Sequence, residues 1–175
     1  STPLPLAAIV AHAAGFRATD LVLEPSAGTG ILAVFALFSG AGLALNELAE
    51  TRRGVLRALF EGAPIFDHDA ASIDDRLDRA ITPSVIVMNP PFSAAQHVDG
   101  KFRKATGQHV LSSLARLAPA GRLVVITGES FAPETKSHQS TFRSIGEVAD
   151  VVFSAAIAGK VFARHGTSID TRLTV

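Results

Sequence analysis

Asn89-Pro90-Pro91-Phe92 stands directly behind the apolar run Val85-Ile86-Val87-Met88, and its residue types suit the acceptance of hydrogen bonds from an amine. Two prolines fix backbone angles and remove two N–H donors, leaving carbonyls free to accept. The Asn89 side-chain oxygen and the Pro90 carbonyl can then take both N–H groups of an exocyclic amine. Such an amine is a poor nucleophile, because its lone pair is delocalised into the ring. Acceptors that favour its pyramidal form bind more tightly as it attacks, which is the condition for lowering a barrier. Phe92 is placed to stack on a base, a contact typically worth about 1–3 kcal/mol. A base drawn from a duplex would have to be flipped out to arrive there.

A second group, Leu23-Glu24-Pro25-Ser26-Ala27-Gly28-Thr29-Gly30, follows another apolar run and opens a helical pattern. Gly28 and Gly30 allow a tight turn and close approach of backbone to a ligand. With Ala33 the spacing satisfies the dinucleotide fingerprint G-x-G-x-x-A, and Glu47 stands near the place of its ribose-binding acid. Glu24 discriminates between ligands. A carboxylate at this strand tip repels a pyrophosphate but attracts the ammonium group of S-adenosylmethionine, which has no phosphate and carries a positive sulfonium. The expected cofactor is therefore S-adenosylmethionine, with Glu24, Pro25, Ser26, Ala27, Gly28 and Gly30 around its methionine end. Glu47, followed by Leu48, is placed to accept both ribose hydroxyls. Asp69, followed by Ala70, is placed to accept from the adenine amino group, and Asp67 competes with it for that role. Asn89 closes the set as a residue shared by cofactor and acceptor.

These groups need a scaffold that brings strand ends together. Strand-length apolar runs lie at 20–24, 41–45, 64–67, 84–88, 122–127, 150–156 and 170–175, with helical patterns over 29–38, 48–60, 73–80 and 106–117. Continuous apolar strands suggest a sheet covered on both faces, and the alternation predicts an α/β, doubly wound fold. No room for a long helix remains between the last two strands. The expectation is thus a mostly parallel seven-stranded sheet with a terminal antiparallel hairpin, in a single domain over residues 1–175. Ligands in such sheets bind beyond the carboxyl ends, where the strand order reverses.

Composition narrows the chemistry further. The chain has 175 residues and no cysteine, which excludes a disulfide scaffold, a thiolate zinc site and a cysteine nucleophile, and fits a cytoplasmic protein. The six histidines show no metal-ligand spacing, so no metal is expected. The longest apolar stretch, Ile31 to Leu45, is too short for a membrane span and is broken by Ser39-Gly40-Ala41-Gly42. Residues 1–88 carry a net −4 and residues 89–175 a net +4. A polyanion would favour the second half, although such splits also arise in domains that bind none. Lys101, Arg103, Lys104, Lys136, Lys160 and Arg164 are the candidate phosphate contacts, and a solvated surface explains them equally well. The chain opens on Ser1 within a segment of functional character, which reads as an excerpt of something longer.

The pairing of E-P-S-A-G-T-G with N-P-P-F resembles the class I amino-methyltransferases, chiefly adenine-N6 DNA methyltransferases in which the cofactor motif comes first. A sheet ending in an antiparallel hairpin is the Rossmann-like pattern of that class. Ser1-Thr2-Pro3 resembles the group's upstream T-P element, and by that likeness Thr2 and Pro3 are cofactor contacts. More narrowly, S-T-P-L-P-L, L-E-P-S-A-G-T-G and the late G-T-S-I-D are similar to the methylase domain of bacterial proteins that also carry a strawberry-notch-type helicase. That likeness implies DNA as substrate and an attached helicase as partner. Two departures keep other acceptors open. The chain has no target-recognition domain, and Phe92 replaces the commoner Tyr of the DNA enzymes. N-P-P-F also occurs in enzymes making N2-methylguanine in ribosomal RNA, and N-P-P-Y in enzymes that methylate a glutamine amide. A non-catalytic module that binds S-adenosylmethionine beside a helicase is the reading from another class.

Overall fold

Val85-Ile86-Val87-Met88 forms strand β4 (Val85–Met88), in which every residue is fully buried. Its side chains alternate between two cores, Val85 and Val87 facing one, Ile86 and Met88 the opposite side. Burial on both faces explains why the run shows no polar alternation. This computed structural model describes residues 2–90, 101–159 and 170–175.

Seven strands make one sheet in the order β3-β2-β1-β4-β5-β7-β6. They are β1 (Leu21–Glu24), β2 (Gly42–Asn46), β3 (Ile65–Phe66), β4, β5 (Arg122–Gly128), β6 (Ser154–Ile157) and β7 (Thr171–Thr174). The pairs β1–β2, β2–β3, β1–β4 and β4–β5 are parallel. Strand β7 lies antiparallel between β5 and β6. The expected α/β sheet with its terminal hairpin is thus the observed one. Order reverses between β1 and β4, which opens a crevice beyond their carboxyl ends.

Helices α1 (Leu4–Ala14), α2 (Ile31–Phe38) and α3 (Glu50–Leu59) supply Leu6, Val10, Leu32, Leu56 and Phe60 to one core. The opposite face is covered by α4 (Ile73–Arg76), α5 (Lys101–Leu114) and α6 (Gln139–Gly146). Arg122 on β5 donates through Nε to the Ala14 carbonyl at 2.7 Å and through Nη2 to Gly15 O at 3.2 Å and Asp20 at 3.3 Å. A guanidinium at the carboxyl end of α1 satisfies its free carbonyls and suits its dipole. It also fixes where the helix, and Thr2 at its other end, must lie. Among the described residues, no helix is long and apolar enough to cross a membrane.

Several elements differ from the sequence reading. Helix α1 was not expected, because its small apolar residues give little facial contrast. The pattern over 73–80 stops at Arg76, where Arg116 Nη2 donates to the Asp78 and Ile81 carbonyls, each at 2.6 Å. That bond pair holds the chain in a turn instead of a helix. Helix α5 begins at Lys101, five residues before the expected start. Helix α6 is not among the helical patterns of the sequence, since Phe142 and Ile145 alone supply it to the core. The strand expected over 150–156 is regular only from Ser154, because Val152 and Phe153 donate instead to the Val175 carbonyl.

Gly30 shows how tightly α2 and α3 meet. Its φ is +84°, and a Cβ there would stand 2.8 Å from Phe60 Cζ and 2.9 Å from Leu56 Cδ2. Gly30→Val therefore combines a left-handed backbone with a core clash. The expected loss is about 3 kcal/mol or more of unfolding free energy by urea titration, and adding Phe60→Ala should recover only the part due to the clash.

Candidate functional site

Asn46, the last residue of β2, builds the site. Its Nδ2 donates to the Pro25 carbonyl at 2.8 Å and the His68 carbonyl at 2.9 Å, and its Oδ1 accepts from the His68 N–H at 2.9 Å. The Asn46 carbonyl also accepts from Ala27 N–H at 2.9 Å. One buried residue thus ties the glycine loop after β1 to the segment after β3. Together with the end of β4, these surround a cavity of ≈550 Å³.

The cavity brings together most of the expected residues. Thr2, Glu24, Pro25, Ser26, Ala27 and Gly28 line it from the first loop side, and Glu47, Leu48, Asp69, Ala70 and Asn89 complete it. Pro3, Gly30 and Pro90 do not line it: Pro3 is buried as the cap of α1, Gly30 packs against Phe60 and Leu56, and Pro90 is buried behind Asn89. Asp69 lies on the wall, whereas its competitor Asp67 faces Arg53 at 3.8 Å and does not. Pro91, Phe92, Lys160 and Arg164 lie outside the described residues, as do the side chains of Lys101, Arg103 and Lys104. Lys136 is exposed on a 3₁₀ turn after β5 and is not part of the cavity.

Glu24 is fully buried, and its Oε2 accepts the Ala33 N–H in the first turn of α2 at 3.0 Å. Burial, only partly offset by that N–H, pushes its carboxyl well above the ordinary value near 4.5, and the nearby Glu47 charge adds to the rise. No cation pairs with it among the described residues. Burial also acts on Glu47, but Arg52 and the N–H groups of Ala49 and Gly28 outweigh it and hold that carboxyl below its ordinary value.

The partners of Glu47 limit what it can accept. Oε1 already takes Ala49 N–H at 2.9 Å and Arg52 Nη2 at 2.7 Å, and Oε2 takes Gly28 N–H at 2.8 Å. A carboxylate oxygen has two acceptor positions. Three of the four positions of the expected two-oxygen seat for a diol are therefore taken: Oε2 has one open, and Oε1 opens only when the half-exposed Arg52 swings aside.

The glycine loop spends its N–H groups inward. Those of Ala27, Gly28 and Gly30 bond to Asn46 O, Glu47 and Ala27 O. A phosphate needs such donors aimed at it, and here it would meet two carboxyl groups instead. Gly28 itself has φ +58° and open space where a Cβ would stand, so the loop presents a bare backbone surface to a ligand.

At the opposite wall, Asn89 Nδ2 donates to Thr2 Oγ1 at 2.8 Å. This bond uses an amide hydrogen and leaves Oδ1 without a partner among the described residues. Leu48, a large apolar residue, is 65% exposed on the rim, where it offers a flat ligand apolar contact.

Sequence reasoning missed Asn46, Thr29, Ile31, Arg52, His68 and His109, all of which line the cavity. Asn46 carried a signal: a carboxamide ending a buried strand must find partners in neighbouring loops. His109 sits mid-helix on α5 and carried none.

No family model matches the chain, and no curated protein matches it. Its fold is similar to that of several solved structures. TrmN from Thermus thermophilus superposes with a TM-score of 0.66 at 18% identity, over 98% of this chain and 47% of that one. The M protein of the type I restriction enzyme EcoKI gives 0.74 at 16%, over 99% of this chain and 43% of the other. A 1,6-didemethyltoxoflavin-N1-methyltransferase from Burkholderia thailandensis, solved with S-adenosylhomocysteine, gives 0.65 at 17%, over 97% and 75%. The chain spans less than half the length of the first two. At these identities the likeness is one of fold.

Two substitutions test the local architecture. Asn46→Ala strands the Pro25 and His68 groups and should cost about 2–4 kcal/mol by chemical denaturation. Glu24→Gln keeps an acceptor for Ala33 but removes the ionisation. Because the folded carboxyl titrates above its ordinary value, the wild-type protein loses stability as pH rises from 4.5 towards its folded pKa. Ligand-free Glu24→Gln should therefore match wild type at acid pH and exceed it at neutral pH, as read from denaturant midpoints.

Proposed function

We propose that this chain is the catalytic domain of an S-adenosylmethionine-dependent methyltransferase that acts on an exocyclic amino nitrogen, adenine N6 in DNA foremost. The observation that carries this reading is the Thr2–Asn89 bond on the wall of the Glu24–Glu47 cavity. It holds the carboxamide by its nitrogen and leaves its oxygen to accept from an amine.

The cavity fits the methyl donor in its donor set. A buried, unpaired Glu24 suits a cationic ligand and costs an anionic one. Glu47 offers acceptor capacity to ribose hydroxyls, Asp69 to an amino group, and Leu48 and Ile31 give apolar contact. Loop N–H groups turned inward argue against the pyrophosphate of NAD. When bound, S-adenosylmethionine supplies an electrophilic methyl group.

The chain's own residues do the rest. Asn89 Oδ1 accepts from the amine's N–H and favours its pyramidal form. Thr2 prevents the carboxamide from turning its nitrogen towards the amine. Phe92 stacks on the base. The negative first half holds the cationic donor, and the basic residues of the second half, Lys136 among them, meet phosphates.

DNA is favoured by the residue pattern, while the fold is shared with a restriction-enzyme M protein and a putative RNA methyltransferase alike. Guanine N2 in ribosomal RNA and a glutamine amide present the same kind of nitrogen. Sequence recognition, and the attached helicase, would come from residues outside this chain.

The test is titration calorimetry with S-adenosylmethionine and NAD, followed by transfer assays on DNA, ribosomal RNA and protein acceptors. The methyl donor should bind and NAD should not. Asn89→Ala should lower transfer about 100-fold or more while changing donor affinity less than about threefold. Unchanged transfer in that variant would remove the mechanism, and donor binding without transfer to any acceptor would leave a binding module.

A further inference from the structure

His109 lies on α5 with its imidazole on the cavity wall, yet Nδ1 is buried and has no hydrogen-bond partner among the described residues. The surrounding packing fixes that orientation. Helix α5 lies against the 3₁₀ turn Ala70–Ser72 that follows Asp69. Ser112, one turn further along the same face, accepts the Asp74 N–H at 3.1 Å and locks the register of α5 against α4. The imidazole is therefore held against the segment that carries Asp69.

An N–H with no acceptor costs more in a buried position than an unused ring lone pair, so the orphaned Nδ1 selects the tautomer that carries its hydrogen on Nε2. Burial holds the imidazole below its ordinary pKa, against the opposing charge of Asp69, which keeps it neutral. Nδ1 being buried, the edge left to the cavity is the one bearing Nε2. Asp69 stands next to it with Oδ1 engaged by Ala71 N–H at 2.9 Å and Oδ2 without a partner among the described residues. The wall thus carries a donor beside an acceptor.

We infer that His109 is a specificity-determining residue for the nucleobase of the cofactor: its Nε2–H and the free Asp69 oxygen form a donor–acceptor pair that reads the amino edge of adenine. This rests on the proposed S-adenosylmethionine site. Asp69 accepts from the exocyclic amino group, and His109 donates to a ring nitrogen flanking it, N1 or N7. A 6-oxo base presents an acceptor to Asp69 and is disfavoured, since two acceptors then face each other with no hydrogen between them.

The experiment measures the dissociation constants of S-adenosylhomocysteine and its 1-deaza and 7-deaza analogues by calorimetry. Wild type, His109→Phe and His109→Gln are compared, with melting curves to verify folding. Wild type should bind one of the two analogues about five- to tenfold more weakly than the parent, the worth of one neutral hydrogen bond. His109→Phe should bind the parent weakly by the same factor and no longer distinguish that analogue. His109→Gln, whose amide nitrogen reaches the Nε2 position, should restore the discrimination. Equal binding of all three ligands by wild type, or parent affinity unchanged in His109→Phe, would overturn the inference while leaving the site intact. No binding of S-adenosylhomocysteine to wild type would overturn the site reading itself, and the inference with it.

Discussion

Everything at the ligand face depends on one carboxamide. Strands β1, β2 and β3 end within a few residues of each other, and the segments leaving them have no ladder to hold their backbone groups. The Asn46 side chain has two donors and one acceptor in use, on Pro25 and on both backbone groups of His68. Among uncharged side chains only the carboxamides offer two donors and an acceptor at once, and glutamine's extra methylene would overshoot. Sequence neighbours make the clamp functional. Glu47 follows Asn46 directly, Glu24 precedes the clamped Pro25, and Asp69 follows the clamped His68. Three acids on three strands therefore take their positions from a neutral residue that carries no charge of its own.

The two glutamates use the glycine loop differently from a phosphate-binding protein. In such a protein the loop N–H groups point outward at an anion. Here Glu47 takes the Gly28 N–H and Glu24 takes the Ala33 N–H, so the protein supplies its own carboxyl acceptors to these groups. Their ionisation separates accordingly. Glu47, bonded to Arg52 and two backbone amides, is held charged. Glu24, buried with one amide, resists charging until a cation comes near. The same G-x-G-x-x-A spacing that suggests a dinucleotide thus folds into a surface that favours positive charge. Spacing describes the turn, and the acids determine what the turn accepts.

Much of the scaffold was legible in the sequence because both of its signals are local. Apolar runs such as Val85–Met88 mark strands buried on two faces, and acids placed immediately after such runs mark strand ends. Asp69 and Glu47 could be placed in this way before any coordinates. What escaped were features that exist only after folding. Helix α1 has no polar face to show a period, and α6 has too few apolar residues to show one. The partners of Glu47 could not be read either: Arg52 is five residues away and one helical turn into α3, so its occupation of Oε1 follows from the angle at which α3 leaves β2. Gly30 looked like a ligand contact from its spacing, and is instead the place where Phe60 and Leu56 need room. His109 joins the site only because α5 packs on the turn after Asp69.

The site combines several features that are costly in the empty protein. Among the described residues Glu24 has a carboxyl buried without a cation and His109 a ring nitrogen without a partner, while Leu48 leaves its apolar side chain in solvent and Gly28 holds a left-handed backbone beside open space. Each cost is also one that a single ligand with a cationic end, a flat apolar base and hydrogen-bonding edges would relieve. Relief of several costs at once couples ligand binding to folding, since whatever binds only the folded state adds to its stability by mass action. The costs that the empty cavity carries are therefore what a bound ligand would return as stability.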